Sequence, residues 1–171
     1  MNHLKILRPR PLIIAMFLAI AVFFNPDALP ANDPPSDPCM MLPAAQLAKD
    51  LEQPFGSATK TKAPSAFPGS PWGTDCTYHT AKGPSRKLLL RVYVENSPAV
   101  AKETFERLAA YFQPNTAVKG PWDAAYLDGR HAIHVQKGKV RYYLNLDPVG
   151  TDTAKAEKQL QGLAAWVAGK L

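Results

Sequence analysis

From Lys87 to Glu95 apolar and polar side chains alternate. Leu88, Leu90, Val92 and Val94 fall on one face and Leu89, Arg91, Tyr93 and Glu95 on the other, the period-two signature of a strand. The stretch from Val140 to Leu146 repeats the pattern. Val140, Tyr142, Leu144 and Leu146 form its apolar set, while Arg141, Tyr143, Asn145 and Asp147 form the other. Ala124 to Leu127 and His131 to Gln136 read as two more strands. The short links Asp128-Gly129-Arg130 and Lys137-Gly138-Lys139 favour hairpins, so an antiparallel meander is expected. Cys76 to Thr80 is a further strand, and the Pro-, Ser-, Gly- and Lys-rich segment from Thr59 to Gly73 is a loop or weak edge strand.

Helical spacing appears in three places. Ala44, Leu47, Ala48 and Leu51 recur on one face of a short helix, with Pro43 in its first turn and Pro54 and Gly56 at its end. Ser97-Pro98 supplies a cap and a first-turn proline for a second helix with the stripe Ala101, Phe105, Leu108 and Phe112, which Pro114 stops. Ala156, Leu160, Leu163, Val167 and Leu171 mark a third, expected to pack on the apolar side of the sheet. The fold class expected is α+β: an antiparallel sheet with helices on one face, in the order helix, strands, helix, strands, helix, closed by one disulfide.

The first residues follow a different logic. Lys5, Arg8 and Arg10 precede an uncharged apolar run from Leu12 to Phe24, which matches a signal peptide's basic and hydrophobic regions. At ~1.5 Å per residue the run spans roughly 20 Å, short of the ~30 Å hydrocarbon core of a bilayer. Residues 1–31 are therefore read as a signal peptide cut after Ala31, residues 32–38 as a proline-rich lead-in, and residues 39–171 as a single α+β domain. No stable membrane anchor is expected after cleavage, and the location expected is periplasmic or secreted.

That reading changes the meaning of charge and of cysteine. The whole chain carries 20 basic and 14 acidic residues, net +6; without Lys5, Arg8, Arg10 and Asp27 it keeps 17 and 13, net +4, too little for a nucleic-acid footprint. Cys39 and Cys76 are an even pair in an oxidising compartment and read as one disulfide. Metal and redox pairs usually place cysteines two to four apart with further ligands nearby, and that spacing is not met.

Pro38-Cys39, Leu42-Pro43-Ala44-Ala45-Gln46-Leu47, Pro54-Phe55-Gly56, Cys76-Thr77-Tyr78 and Gly120-Pro121-Trp122-Asp123-Ala124-Ala125-Tyr126 together resemble the domain-of-unknown-function 3558 family, secreted or lipid-anchored bacterial proteins. Met40-Met41 and Leu42-Pro43 stand where that family has leucine and threonine, and Trp122 stands at its second glycine. The resemblance implies a disulfide and a two-layer α+β fold and implies no particular activity.

Chemistry is read mostly by exclusion. Gly-x-Ser-x-Gly, phosphate-loop, Gly-x-Gly-x-x-Gly and His-Glu-x-x-His patterns do not occur. His131 and His134, three apart on a strand, point to opposite faces and do not form one chelate. Asp123 and Asp128 bracket a strand and fit turn-capping better than acid/base work. No metal, cofactor or catalytic residue is expected. Arg91, Tyr93, Arg141 and Tyr143, with Asn145, remain as an aromatic and basic sheet face suited to recognition, whose replacement is expected to leave folding largely intact. Trp72 and Trp122 are expected in loops. The function expected is an exported, non-catalytic binding module for an envelope protein or other cell-surface ligand, with a small extracytoplasmic hydrolase as the alternative.

Overall fold

The alternating segments become strands of one antiparallel sheet in the computed structural model of the chain, which describes residues 37–171. The expected signal peptide, its cut and most of the lead-in lie outside the described residues. A 3-10 turn, Pro38–Met41, precedes α1 (Ala44–Asp50), followed by β1 (Thr59–Ala63), β2 (Gly73–His79), β3 (Lys87–Val94) and α2 (Pro98–Tyr111). Then come β4 (Asn115–Ala117), β5 (Ala124–Asp128), β6 (Ile133–Lys137), β7 (Val140–Asp147) and α3 (Thr153–Ala168). The seven strands lie in the order β1-β2-β3-β7-β6-β5-β4, so β3 and β7, the two most regular alternations, meet at the centre. The expected order of helices and strands fits roughly, with a 3-10 turn added before α1 and β4 as a short edge strand the pattern did not announce.

Local chemistry explains the boundaries. Ser97 Oγ accepts the Val100 N–H at the start of α2, and Asp152 Oδ1 accepts the Lys155 N–H at the start of α3. β6 begins at Ile133, two residues later than expected, because His131 takes a positive φ of 59° and completes a turn in which its N–H donates to the Asp128 carbonyl. Gly138, with φ 54°, turns the two-residue link between Lys137 and Val140.

The main core lies on the face of Leu88, Leu90, Val92, Tyr142, Leu144 and Leu146, all buried. α3 covers it with Leu160, Leu163 and Val167, α1 adds Leu47 and Leu51, and the Tyr142 hydroxyl donates to the Ala164 carbonyl at 2.7 Å. Each such leucine or valine contributes about 1.5–3 kcal/mol on burial. Cys39 and Cys76 are bonded, tying the 3-10 turn to β2. Trp122 packs on this core from its loop and donates to the Val118 carbonyl, whereas Trp72 is exposed with Lys62 over its ring.

One expectation fails: the helices do not share a face. α2 lies on the opposite side, where Phe105 meets the Tyr126 ring at 5.1 Å and Phe112 meets the His134 ring at 5.2 Å. Its apolar stripe needs a partner, α1 and α3 already cover the main core, and the aromatic side chains of β5 to β7 supply one. The sheet is thus covered on one side by α1 and α3 and on half of the other by α2. Among the described residues no helix is long and apolar enough to cross a membrane.

Candidate functional site: a cleft between α2 and the sheet

The antiparallel register of β3 and β7 sets Arg91 opposite Tyr143 and Tyr93 opposite Arg141, so the four residues of the expected recognition face lie side by side. Burial divides them. Arg91 and Tyr143 are half-buried, whereas Tyr93 and Arg141 are only 6% and 3% exposed. Arg141 donates through Nε and Nη2 to Glu95 Oε1, a pair buried on both sides, and its guanidinium lies 4.8 Å over the Tyr93 ring. The Tyr93 hydroxyl donates to the Pro64 carbonyl at 2.9 Å. The expectation that all four can be replaced with folding largely intact therefore fails for Tyr93 and Arg141, because both are structural bases of the site.

Arg91 presents a fork to Asp75 on β2, its Nη2 reaching Oδ2 at 2.7 Å while Nε donates to Oδ1. That bonding pushes the guanidinium pKa further up, against the opposing effect of burial. Tyr143 lies beside it, with the Arg91 guanidinium 5.4 Å from its ring. Burial raises the Tyr143 phenol pKa although Arg91 pulls the other way, so the hydroxyl stays protonated at neutral pH.

The row continues beyond the four expected residues. β6 sets His134 opposite Tyr143 and β5 sets Tyr126 opposite His134. The imidazole is sandwiched, 4.6 Å from Tyr126 and 5.2 Å from Tyr143, with interplanar angles of 13° and 25°. Its Nε2 meets Asp128 Oδ2 at 3.0 Å, while Asp128 Oδ1 accepts the N–H groups of Arg130 and Ala132. Burial works to raise the Asp128 pKa, but these three bonds outweigh it and hold the carboxyl below its usual range. The Tyr126 hydroxyl is buried and has no hydrogen-bond partner among the described residues.

Arg91, Tyr143 and His134 of this row floor a cleft of about 450 Å³, and Tyr126 backs His134 by stacking without lining it. Phe105, Leu108 and Phe112 of α2 form one wall and Pro64 to Ala66 the other. Arg107 of α2 stacks 4.2 Å over Phe67, linking the two walls. At one end stand Arg130 and Asn145, whose side chains have no hydrogen-bond partner among the described residues, and Arg130 is exposed.

Other candidates are placed elsewhere. Asp123 Oδ2 accepts the Gly138 N–H and the Gln136 amide, the turn-capping role expected of it. His131 does not share a strand with His134 as expected but sits in the turn before β6, where it pairs with Glu157 of α3. Among the described residues no three of His, Cys, Asp and Glu gather to hold a metal ion. Sequence reasoning passed over His134, Tyr126 and the α2 wall as parts of one site. The signal for His134 was present, since a two-residue turn at Gly138-Lys139 sets position 137 against 140 and so 134 against 143. The chain matches no protein-family model and no curated protein.

Proposed function

We propose that this chain is an exported, non-catalytic envelope protein that works by binding, with the cleft between α2 and the sheet as its recognition site. The observation that carries this reading is the row Arg91, Tyr143 and His134, held by ion pairs and by stacking that Tyr126 completes from behind, at the base of a cleft of ligand size. Such fixed side chains lose little freedom when a ligand arrives, which favours affinity. The disulfide accords with an oxidising compartment, as does the basic and apolar start of the chain. The resemblance to secreted proteins noted in the motifs around Cys39 and Cys76 agrees with that location.

Two measurements test it. Intact mass of the native protein is expected to show processing after Ala31; full-length protein in the cytosol would remove the export half of the reading. Native mass spectrometry after incubation with an envelope extract is expected to show a bound species that Leu108→Trp, which fills the cleft from its half-buried wall, excludes. Recovery of the same bound species by both proteins would remove the cleft.

The hydrolase alternative has one observation in its favour, the Asp128–His134 pair in the cleft. Against it, the Nε2 of the imidazole is occupied by Asp128, and among the described residues no hydroxyl or thiol hydrogen-bonds to the ring. Turnover of an ester or glycoside that His134→Gln abolishes would establish the alternative.

A further inference from the structure

The cleft has two chemically different sides, and the difference specifies what fits it. Tyr126, His134 and Tyr143 come from neighbouring strands and stack nearly parallel across them, so their faces cover one another. Strands are ~4.8 Å apart, close to these ring separations, so the ring planes stand up from the sheet, and His134 and Tyr143, which line the cleft, turn their edges to it. Ring edges carry the positive end of the aromatic quadrupole. A sugar face therefore finds no open ring to lie on along the sheet side of the cleft, whereas an oxygen acceptor finds a favourable rim there.

The hydrogen-bonding groups agree. The acids around the cleft are engaged: Asp75 by Arg91, Glu95 by Arg141, and Asp128 by His134 and two backbone N–H groups. What remains is a surplus of donors. Arg91 uses Nε and Nη2 on Asp75 and keeps Nη1; the Asn145 amide and the Arg130 guanidinium have no partner among the described residues. With the other two arginines paired to acids, Arg130 is the arginine of the cleft lining that has no ion-pair partner among the described residues. The facing wall of Phe105, Leu108 and Phe112 offers only apolar surface.

We propose that the ligand of this cleft is an amphipathic organic anion, an alkyl or aryl carboxylate. Its carboxylate meets Arg130, Asn145 and Arg91, and its apolar body lies between the ring edges and the α2 wall. The inference rests on the reading of the cleft as the binding site and adds the chemical class of what enters. Charge-assisted hydrogen bonds to a partly enclosed carboxylate are stronger than neutral ones, which sets the selectivity expected against an uncharged analogue.

The experiment is a calorimetric titration of the purified protein with octanoate and cinnamate, and with octanol, cinnamyl alcohol and octylamine as matched probes. Backbone amide shifts locate each site. The carboxylates are expected to bind about tenfold or more tightly than the alcohols, with shifts confined to α2, β3, the turn around Arg130, β6, β7 and residues 64–66. Arg130→Gln, at an exposed position whose backbone contact to Asp128 is unaffected, is expected to cost octanoate about tenfold and leave octanol unchanged. Added salt is expected to weaken octanoate alone. Equal affinity for octanoate and octanol in the cleft, or preference for octylamine, overturns the anionic class while leaving the cleft as a binding site. Absence of binding by every probe overturns this inference, and the Leu108→Trp comparison with envelope extract then decides separately whether the cleft binds anything.

Discussion

Arg141 holds its guanidinium on Glu95 beneath the cleft, with both side chains almost wholly buried. Removing one partner leaves the other charge buried alone, so Arg141→Ala is expected to lower stability by about 3–5 kcal/mol, read as a shift in urea midpoint. The Tyr126 hydroxyl presents the opposite case. It forms no hydrogen bond among the described residues, and Tyr126→Phe removes a buried polar atom without orphaning a partner. That variant is expected to be neutral or more stable by up to about 1 kcal/mol. Loss of more than that would reveal a bond to the hydroxyl in solution. Asp128 sets a pH dependence of known sign. Its pKa is lowered in the folded chain, so its contribution to stability is present above the unfolded value of about 4 and is lost as pH falls through the lower folded value. The stability gap between wild type and Asp128→Asn is therefore expected to narrow between pH 6 and pH 3 in paired urea titrations.

At the scale of elements, the register of β3 with β7 and the approach of the neighbouring loops place the site. Gly73 opens β2 where the Tyr93 ring passes over it: a Cβ there would lie 2.8 Å from Tyr93 Cε1 and 2.9 Å from the Val92 carbonyl oxygen. Tyr93 cannot withdraw cheaply, because its hydroxyl is bonded to Pro64 and its ring lies under Arg141. Gly73→Ala is expected to cost about 1–3 kcal/mol and to disturb the Pro64 wall, visible as amide shifts in residues 64–66. The alternations of β3 and β7 were legible because a period of two sorts side chains without ambiguity. The side taken by α2 was not. Its stripe of Ala101, Phe105, Leu108 and Phe112 says only that it must bury an apolar face, and both faces of this sheet offer apolar surface.

For the whole molecule, the Cys39–Cys76 bond closes a separation of 37 residues and holds the 3-10 turn, where the Tyr78 hydroxyl also donates to the Cys39 carbonyl. Restricting the unfolded chain by a loop of that length is worth roughly 4 kcal/mol, a large part of a small domain's net stability. Replacing both cysteines by serine is expected to lower stability by about 2–4 kcal/mol in urea denaturation. An unchanged midpoint would show that the bond adds little to the packing of Met41 and Leu42 beside it. The chain's own order of apolar and polar residues determined the central strands, the helix cap at Ser97, and the pairing of the two cysteines, because each follows from a local period, a capping side chain or a count. Which face α2 covers, that Arg91 stays accessible while Arg141 is buried, and that His134, backed by Tyr126, joins Tyr143 to floor a cleft were decided by tertiary structure. These depend on contacts between residues far apart in sequence, where two faces with similar local patterns acquire different burial only once a particular helix settles on one of them.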